Sequence, residues 1–303
     1  MNIFPLGKRL YKLRLERKIS QKDLCDGLCS IPSLSRIESG DQVPSRKLLE
    51  SLYQRCGYKA PVNDVPATDV ELQRDNLETE ISLCFLKNGN NDIDTLLDEY
   101  KNCSEKMNKF EEQNYILFSL ISKAKKLGYT FEQKKSLLDA FLLTHPNFQI
   151  EDLYSKKIFL TATEITIINN IAIADIKLSK QKEAIAIFEF LKNYIENNII
   201  DEEEKAKIYP AIILNLASLY DDIGNYKKAV KLMKESIKIC ANYGKFLLAP
   251  CITNYGFFIA RNGNIDTGIS ILKDGLLFFE YLGDTETVKQ GKQAVKTYFD
   301  IDI

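Results

Sequence analysis

Seven cysteines, one histidine and a triple glutamate are the residues whose chemistry would first suggest catalysis or metal binding, and their spacing supports neither. The cysteines stand at positions 25, 29, 56, 84, 103, 240 and 251, an odd number at irregular intervals, as expected of reduced, mostly buried thiols. Cys25 and Cys29 are near enough to share a metal, but no second close cysteine pair follows, and helix packing is the preferred reading. Neither a metal nor a cofactor is expected. His145 precedes Pro146 at an expected helix end and reads as a surface or capping residue. Glu202-Glu203-Glu204 falls at an expected helix start, where the macrodipole favours carboxylates. With no glycine-rich phosphate loop and no nucleophile with its base, the chain does not read as an enzyme.

Binding chemistry is better represented. Residues 1–60 hold twelve Lys/Arg against six Asp/Glu, a charge of +6, and the remainder holds 29 against 36, a charge of −7. A basic head on an acidic body suits a polyanion at the head, because neutralising phosphates releases counterions; ordinary surface variation is the alternative. The head carries four helical signals. Leu6, Leu10 and Leu13 mark a first helix, and Ser20 caps a second with Leu24 and Leu28. A third runs from about Ile31 to Ser39 with Leu34 and Ile37 inward and Gly40 to end it; Pro44-Ser45 opens a fourth with Leu48, Leu49 and Leu52. If Leu34 and Ile37 face the core, Ser30, Ile31, Pro32, Ser33 and Arg36 face a DNA groove, and Arg36 has the geometry for a bidentate contact to guanine. Arg46 and Lys47 are phosphate candidates, or else solvated surface charges.

These residues, with Gly7, Arg9, Leu13-Arg14, Ser20-Gln21, Leu34-Ser35-Arg36-Ile37-Glu38-Ser39-Gly40 and Pro44-Ser45, resemble the phage-repressor (Cro/cI, XRE) helix-turn-helix family over about 55 positions. The resemblance implies that Arg14 and Glu38 pair structurally and that Gln21 holds a phosphate.

Two prolines without helical periodicity mark a linker at 61–68, separating a DNA-binding domain at 1–60 from a body at 69–303. Asn215-Leu216-Ala217, Gly224-Asn225-Tyr226, Ala229, Leu232-Met233 and Gly244 recur 39 residues later as Asn254-Tyr255-Gly256, Gly263-Asn264-Ile265, Gly268, Ile271-Leu272 and Gly283. The same frame 45 residues upstream finds Asn170-Ile171-Ala172, Ala184 and Ile187-Phe188, with Ser179-Lys180 replacing the Gly-Asn turn. The segment Leu216–Ala229 resembles the tetratricopeptide helix-turn-helix. Five helix pairs are expected, at 69–107, 110–145, 157–198, 203–243 and 245–282, with a capping helix at 285–299; Asn88-Gly89-Asn90 is among the expected junctions. The expected fold is all-α, a helix-turn-helix head joined to a right-handed tetratricopeptide-repeat superhelix whose groove suits extended peptides or helices.

The face of each first helix opposite its intra-pair packing carries Asn169, Asn170 and Lys177, then Asn215 and Ser218, then Thr253, Asn254, Phe257 and Arg261. Asn170, Asn215 and Asn254 share one repeat position. An amide offers one acceptor and two donors, so such a ladder suits a peptide backbone; alternatively each amide bonds a carbonyl of a neighbouring helix. Lys177 and Arg261 suit a carboxylate, or are solvated.

A phage-repressor head on tetratricopeptide repeats resembles the RRNPP family of Gram-positive peptide-pheromone receptors, in its PlcR-like branch. That resemblance implies a homodimer on palindromic promoter DNA, switched by a short signalling peptide that the repeat asparagines hold. The alternative is a DNA-binding scaffold whose groove recruits a folded partner or an antirepressor. No stretch is long and apolar enough to span a membrane and the first residues lack a signal core, so a cytoplasmic protein is expected.

Overall fold

A computed structural model describes residues 4–87, 93–104, 106–243 and 247–303, and every regular element among them is a helix. The chain forms two compact units, Met1–Asp201 and Glu202–Ile303. The expected junctions at Asn88-Gly89-Asn90 and Gly244 lie outside the described residues.

In the first unit, α1 (Phe4–Glu16), α2 (Gln21–Cys25), α3 (Ile31–Ser39) and α4 (Arg46–Arg55) build the head. Three of these start on serine caps: Ser20, Ser30 and Ser45 accept from the backbone N–H of Asp23, Ser33 and Leu48. Pro32 sits in the first turn of α3, where its missing N–H is harmless, and Gly40 ends that helix in the left-handed region at φ 86°. Leu10, Leu24, Leu34, Ile37, Leu49, Leu52 and Tyr53 are fully buried and form the core of the head. A side chain at Gly7 would strike the carbonyl of Ile37, so α1 lies directly on α3. Past α4 a 3-10 turn at Val62–Asp64 follows, and Ala60 and Val65 complete the same core.

Helices α5 (Asp69–Lys87) and α6 (Ile93–Lys101), then α7 (Lys109–Leu127) and α8 (Phe131–Leu142), form antiparallel pairs. After a short helix α9 (Asp152–Ser155) comes a third pair, α10 (Ala162–Lys177) and α11 (Gln181–Asn197). Asn108, Thr130 and Thr161 open α7, α8 and α10 with reciprocal capping boxes.

The head is fastened to these pairs by a buried polar junction. Arg55, at the end of α4, donates to the Leu24 and Asp26 carbonyls at 3.3 and 2.6 Å. Its other nitrogen lies 3.2 Å from Glu164 Oε1 and 3.0 Å from His145 Nε2. His145 is therefore not the surface or capping residue expected from Pro146. It is 6% exposed and stacked on Phe141, because the turn after α8 folds back under the head, where Arg55 and Glu164 need polar neighbours. Lys109 donates to the Gly27 and Leu28 carbonyls at 2.6 and 2.7 Å. Gly27, at φ 66°, leaves no room for a Cβ against the carbonyl of Thr144.

The second unit contains α12 (Glu202–Asp222), α13 (Tyr226–Tyr243), α14 (Leu248–Arg261), α15 (Ile265–Tyr281) and α16 (Thr285–Phe299). Ala217 and Ala229 are fully buried where α12 and α13 cross. The next pair approaches more closely still. A Cβ on Gly256 would meet backbone atoms of Leu272 and Gly268, and one on Gly268 would meet Ala260 and Gly256. Several of the described turns between paired helices place a residue at positive φ. Gly224 and Gly263 have φ 77° and 98°, and Ser179 takes the same left-handed region at φ 61° in the third pair.

Candidate DNA-binding face and repeat surface

Helix α3 divides its residues by face. Leu34, Ile37 and Glu38 are buried, while Ser30, Ile31, Pro32, Ser35 and Arg36 are exposed. Ile31, at 45% exposure, is an apolar residue with no packing reason to face solvent and suits a thymine methyl. Ser33 is half-buried and shares a hydrogen bond with the Ser30 hydroxyl at 2.9 Å. Arg36 receives support the sequence reading missed. Its Nε donates to Gln42 Oε1 at 3.1 Å, which leaves the terminal nitrogens for a base edge. The only sequence signal for Gln42 was its place just past Gly40.

Beneath this face Arg14 grips Glu38 in a bidentate pair, Nε to Oε1 at 2.5 Å and Nη2 to Oε2 at 2.9 Å, and also donates to the Ile19 carbonyl. Both side chains are buried, so the pair fixes α1 against α3.

Three expected phosphate ligands are engaged elsewhere. Gln21 donates its amide to Glu38 Oε2 at 2.7 Å, because the buried carboxylate has lone pairs left over after Arg14 is satisfied. Arg46 lies 3.4 Å from Asp75, and Lys47 makes contacts of 2.9 and 2.7 Å to Asp75 and Glu78. Burial would lower the Lys47 pKa, yet Glu78, Glu50 and Asp75 together hold it above the usual lysine value. Neither basic side chain is a free surface charge; both tie α4 to α5.

The repeat residues also separate. Asn170 is 7% exposed, accepts from the Tyr129 hydroxyl at 2.6 Å and donates to the Thr166 carbonyl at 2.8 Å. Its acceptor and one donor are thus used within the first unit, contrary to its expected role as a rung for a ligand. Asn169, next to it in the chain, is likewise buried, at 8% exposure. Lys177 is exposed at the end of α10.

In the second unit α12 and α14 are neighbours, and the half-buried face they share carries Leu214, Asn215, Ser218 and Asn254. Asn254 donates to the Pro250 carbonyl at 2.9 Å and Ser218 to the Leu214 carbonyl at 3.0 Å, both one turn back on their own helix. Such local bonds leave the Asn254 carbonyl oxygen directed away from its own backbone. Thr253 packs against Gly275 of α15 instead. Phe257 meets Tyr298 and Phe299 of α16 edge-to-face at 5.2 and 5.8 Å, so it belongs to the seam with the capping helix. Arg261 lies between the rings of Tyr226 and Tyr298, at 4.9 and 4.7 Å, and 3.4 Å from Asp221. Burial raises the Asp221 pKa, opposed by Arg261. The expected solvated or ligand-bound guanidinium is instead an internal clamp joining α12, α13, α14 and α16.

Residues 5–62 match the model of a helix-turn-helix domain family. None of the curated proteins matches the sequence. The fold is similar to that of Bacillus thuringiensis PlcR, solved with the peptide PapR7 and DNA, with a TM-score of 0.55 and 18% identity over 96% of this chain and 98% of that one. It is also similar to the apo form of the competence regulator ComR from Streptococcus vestibularis, with a TM-score of 0.53 and 14% identity over 98% of each chain. The chain is an all-α protein with a helix-turn-helix head followed by helix pairs. The likeness in fold to these two structures covers nearly the whole chain.

Proposed function

We propose that this protein is a cytoplasmic transcription regulator of the RRNPP type, which binds palindromic promoter DNA as a homodimer and is switched by a short signalling peptide bound to its repeats. The observation that carries the reading is the construction of α3. A helix whose inner face is locked by the Arg14–Glu38 pair presents Ser30, Ile31, Pro32, Ser35 and Arg36 outward. The likeness in fold to PlcR, a protein solved with both peptide and DNA, supports joining DNA and peptide recognition in one chain.

Within the repeats, the second unit is the better peptide site. There Asn215, Ser218 and Asn254 lie on one half-buried face, whereas Asn170 is committed to Tyr129. A second copy of the chain is supported by Leu277, Phe278 and Tyr281 on α15 and Leu282 just past its end, which are 46%, 46%, 88% and 78% exposed. The test is fluorescence anisotropy of the full-length protein on promoter duplexes from beside its own gene, with and without short synthetic peptides encoded nearby. Sequence-specific binding whose affinity changes with one such peptide is expected. Binding that responds to no peptide but changes with a folded partner protein would favour the scaffold instead.

A further inference from the structure

Two of the seven cysteines face each other inside the second unit. Cys240, near the end of α13, and Cys251, in the first turn of α14, place their sulfurs 3.9 Å apart with both side chains fully buried. Ser236, one turn before Cys240, is likewise fully buried and sets its hydroxyl 3.3 Å from the Cys251 sulfur. For plain packing, alanine or valine would fill such a seam without leaving a buried hydroxyl on a weak acceptor. The arrangement instead surrounds one sulfur with a second thiol, a hydroxyl donor and the start of a helix. We propose that Cys240 and Cys251 are an oxidisable dithiol, which a hydroperoxide converts to an internal disulfide linking α13 to α14.

Cys251 is the sulfur that attacks. Hydrogen bonds from the Cys240 thiol and the Ser236 hydroxyl favour its thiolate against the cost of burial, and the first turn of α14 supplies the positive end of a helix dipole. The thiolate attacks one oxygen of hydrogen peroxide and the O–O bond breaks. Hydroxide leaves and takes up the proton that the thiol released, giving water and a sulfenic acid at Cys251. The Cys240 sulfur then attacks that sulfur and the S–O bond breaks. The departing hydroxide carries off the Cys240 proton as a second water, and an S–S bond closes. Two electrons pass from the thiols to the peroxide, so the reaction balances as two thiols and one peroxide to one disulfide and two waters. Closing the bond requires the sulfurs to move from 3.9 Å to about 2 Å. Because access to a fully buried pair depends on local opening of the helices, the reaction reports the stability of this seam.

The link would hold the second helix of one pair to the first helix of the next. Asn254 lies one turn beyond Cys251 and bonds the carbonyl of Pro250, so the oxidised seam would fix the start of the helix that carries the proposed ligand face. The dithiol chemistry itself stands or falls independently of peptide binding.

Full-length protein treated with hydrogen peroxide, then alkylated and digested without reductant, tests the proposal. Expected are a mass loss of about 2 Da, loss of two of the seven titratable thiols, one cross-linked peptide joining Cys240 to Cys251, and full reversal by dithiothreitol. In Cys240→Ser the cross-link should vanish and dimedone should trap a sulfenic acid at Cys251; Cys240→Ala serves if the serine variant folds poorly. Retention of all seven thiols under peroxide that fully oxidises a control dithiol, or a disulfide formed by other cysteines, overturns the proposal.

Discussion

The carboxylate of Glu164 is buried to 0% exposure and faces Arg55 and His145, so each charge at this junction depends on its neighbours. Glu164→Gln should destabilise the first unit by about 3–5 kcal/mol, the usual cost of leaving a buried cation without its partner, read by urea unfolding. The same residue sets a pH dependence. Burial raises its pKa, but Arg55 and His145 outweigh that and hold it well below the usual glutamate range. A depressed carboxylate contributes stability that is complete above its unfolded pKa of about 4.3 and is lost as pH falls from there toward the folded value. Wild-type stability should therefore drop as pH falls below about 5, and Glu164→Gln should show a flatter slope there. On the DNA face, Arg36→Ala should cost about 1–3 kcal/mol of specific affinity with an unchanged melting temperature. Lys47→Ala should do the reverse, lowering thermal stability and leaving the salt dependence of DNA binding as it was, since Lys47 is spent on Asp75 and Glu78. A steeply reduced salt slope in that variant would restore Lys47 to the phosphate contacts.

At the scale of elements, close helix approach decides the sign of a glycine substitution. Replacing a helical glycine by alanine normally gains up to about 1 kcal/mol of helix propensity. At Gly256 the added Cβ would meet backbone atoms of Leu272 and Gly268, which cannot rotate aside. Gly256→Ala should accordingly destabilise the second unit by about 1–3 kcal/mol in thermal or denaturant unfolding, overpacking outweighing propensity. The small residues of this repeat were legible because 39-residue spacing aligned Gly256 and Gly268 with Ala217 and Ala229. The serine caps of the head and the left-handed Gly40 were equally legible, since each is a local backbone requirement met by its own side chain or by the lack of one. Harder to read were the roles of Asn170 and Arg261. Their partners Tyr129 and Asp221 stand about 40 residues away, beyond any local period.

For the whole molecule, the proposed self-association rests on exposed Leu277, Phe278 and Tyr281 of α15 and on Leu282 just past it. Tyr281→Asp with Leu282→Asp should halve the mass in sedimentation equilibrium and weaken binding to a two-half-site operator far more than to a single half-site. A monomeric wild type, or an unaffected dimer in the double variant, would move the dimer contact to another surface.

Local chemistry of the chain specified the helical class, the four helices of the head and the repeating turns, because periodicity, caps and glycine positions act within a few residues of one another. Tertiary structure decided which polar groups remain available to a ligand. Gln21, Arg46, Lys47, Asn170 and Arg261 all had the right type and spacing for binding, yet each is engaged by a residue from another segment of the chain. A buried polar group must find a partner wherever the fold brings one, and that pairing across distant segments is set by packing alone.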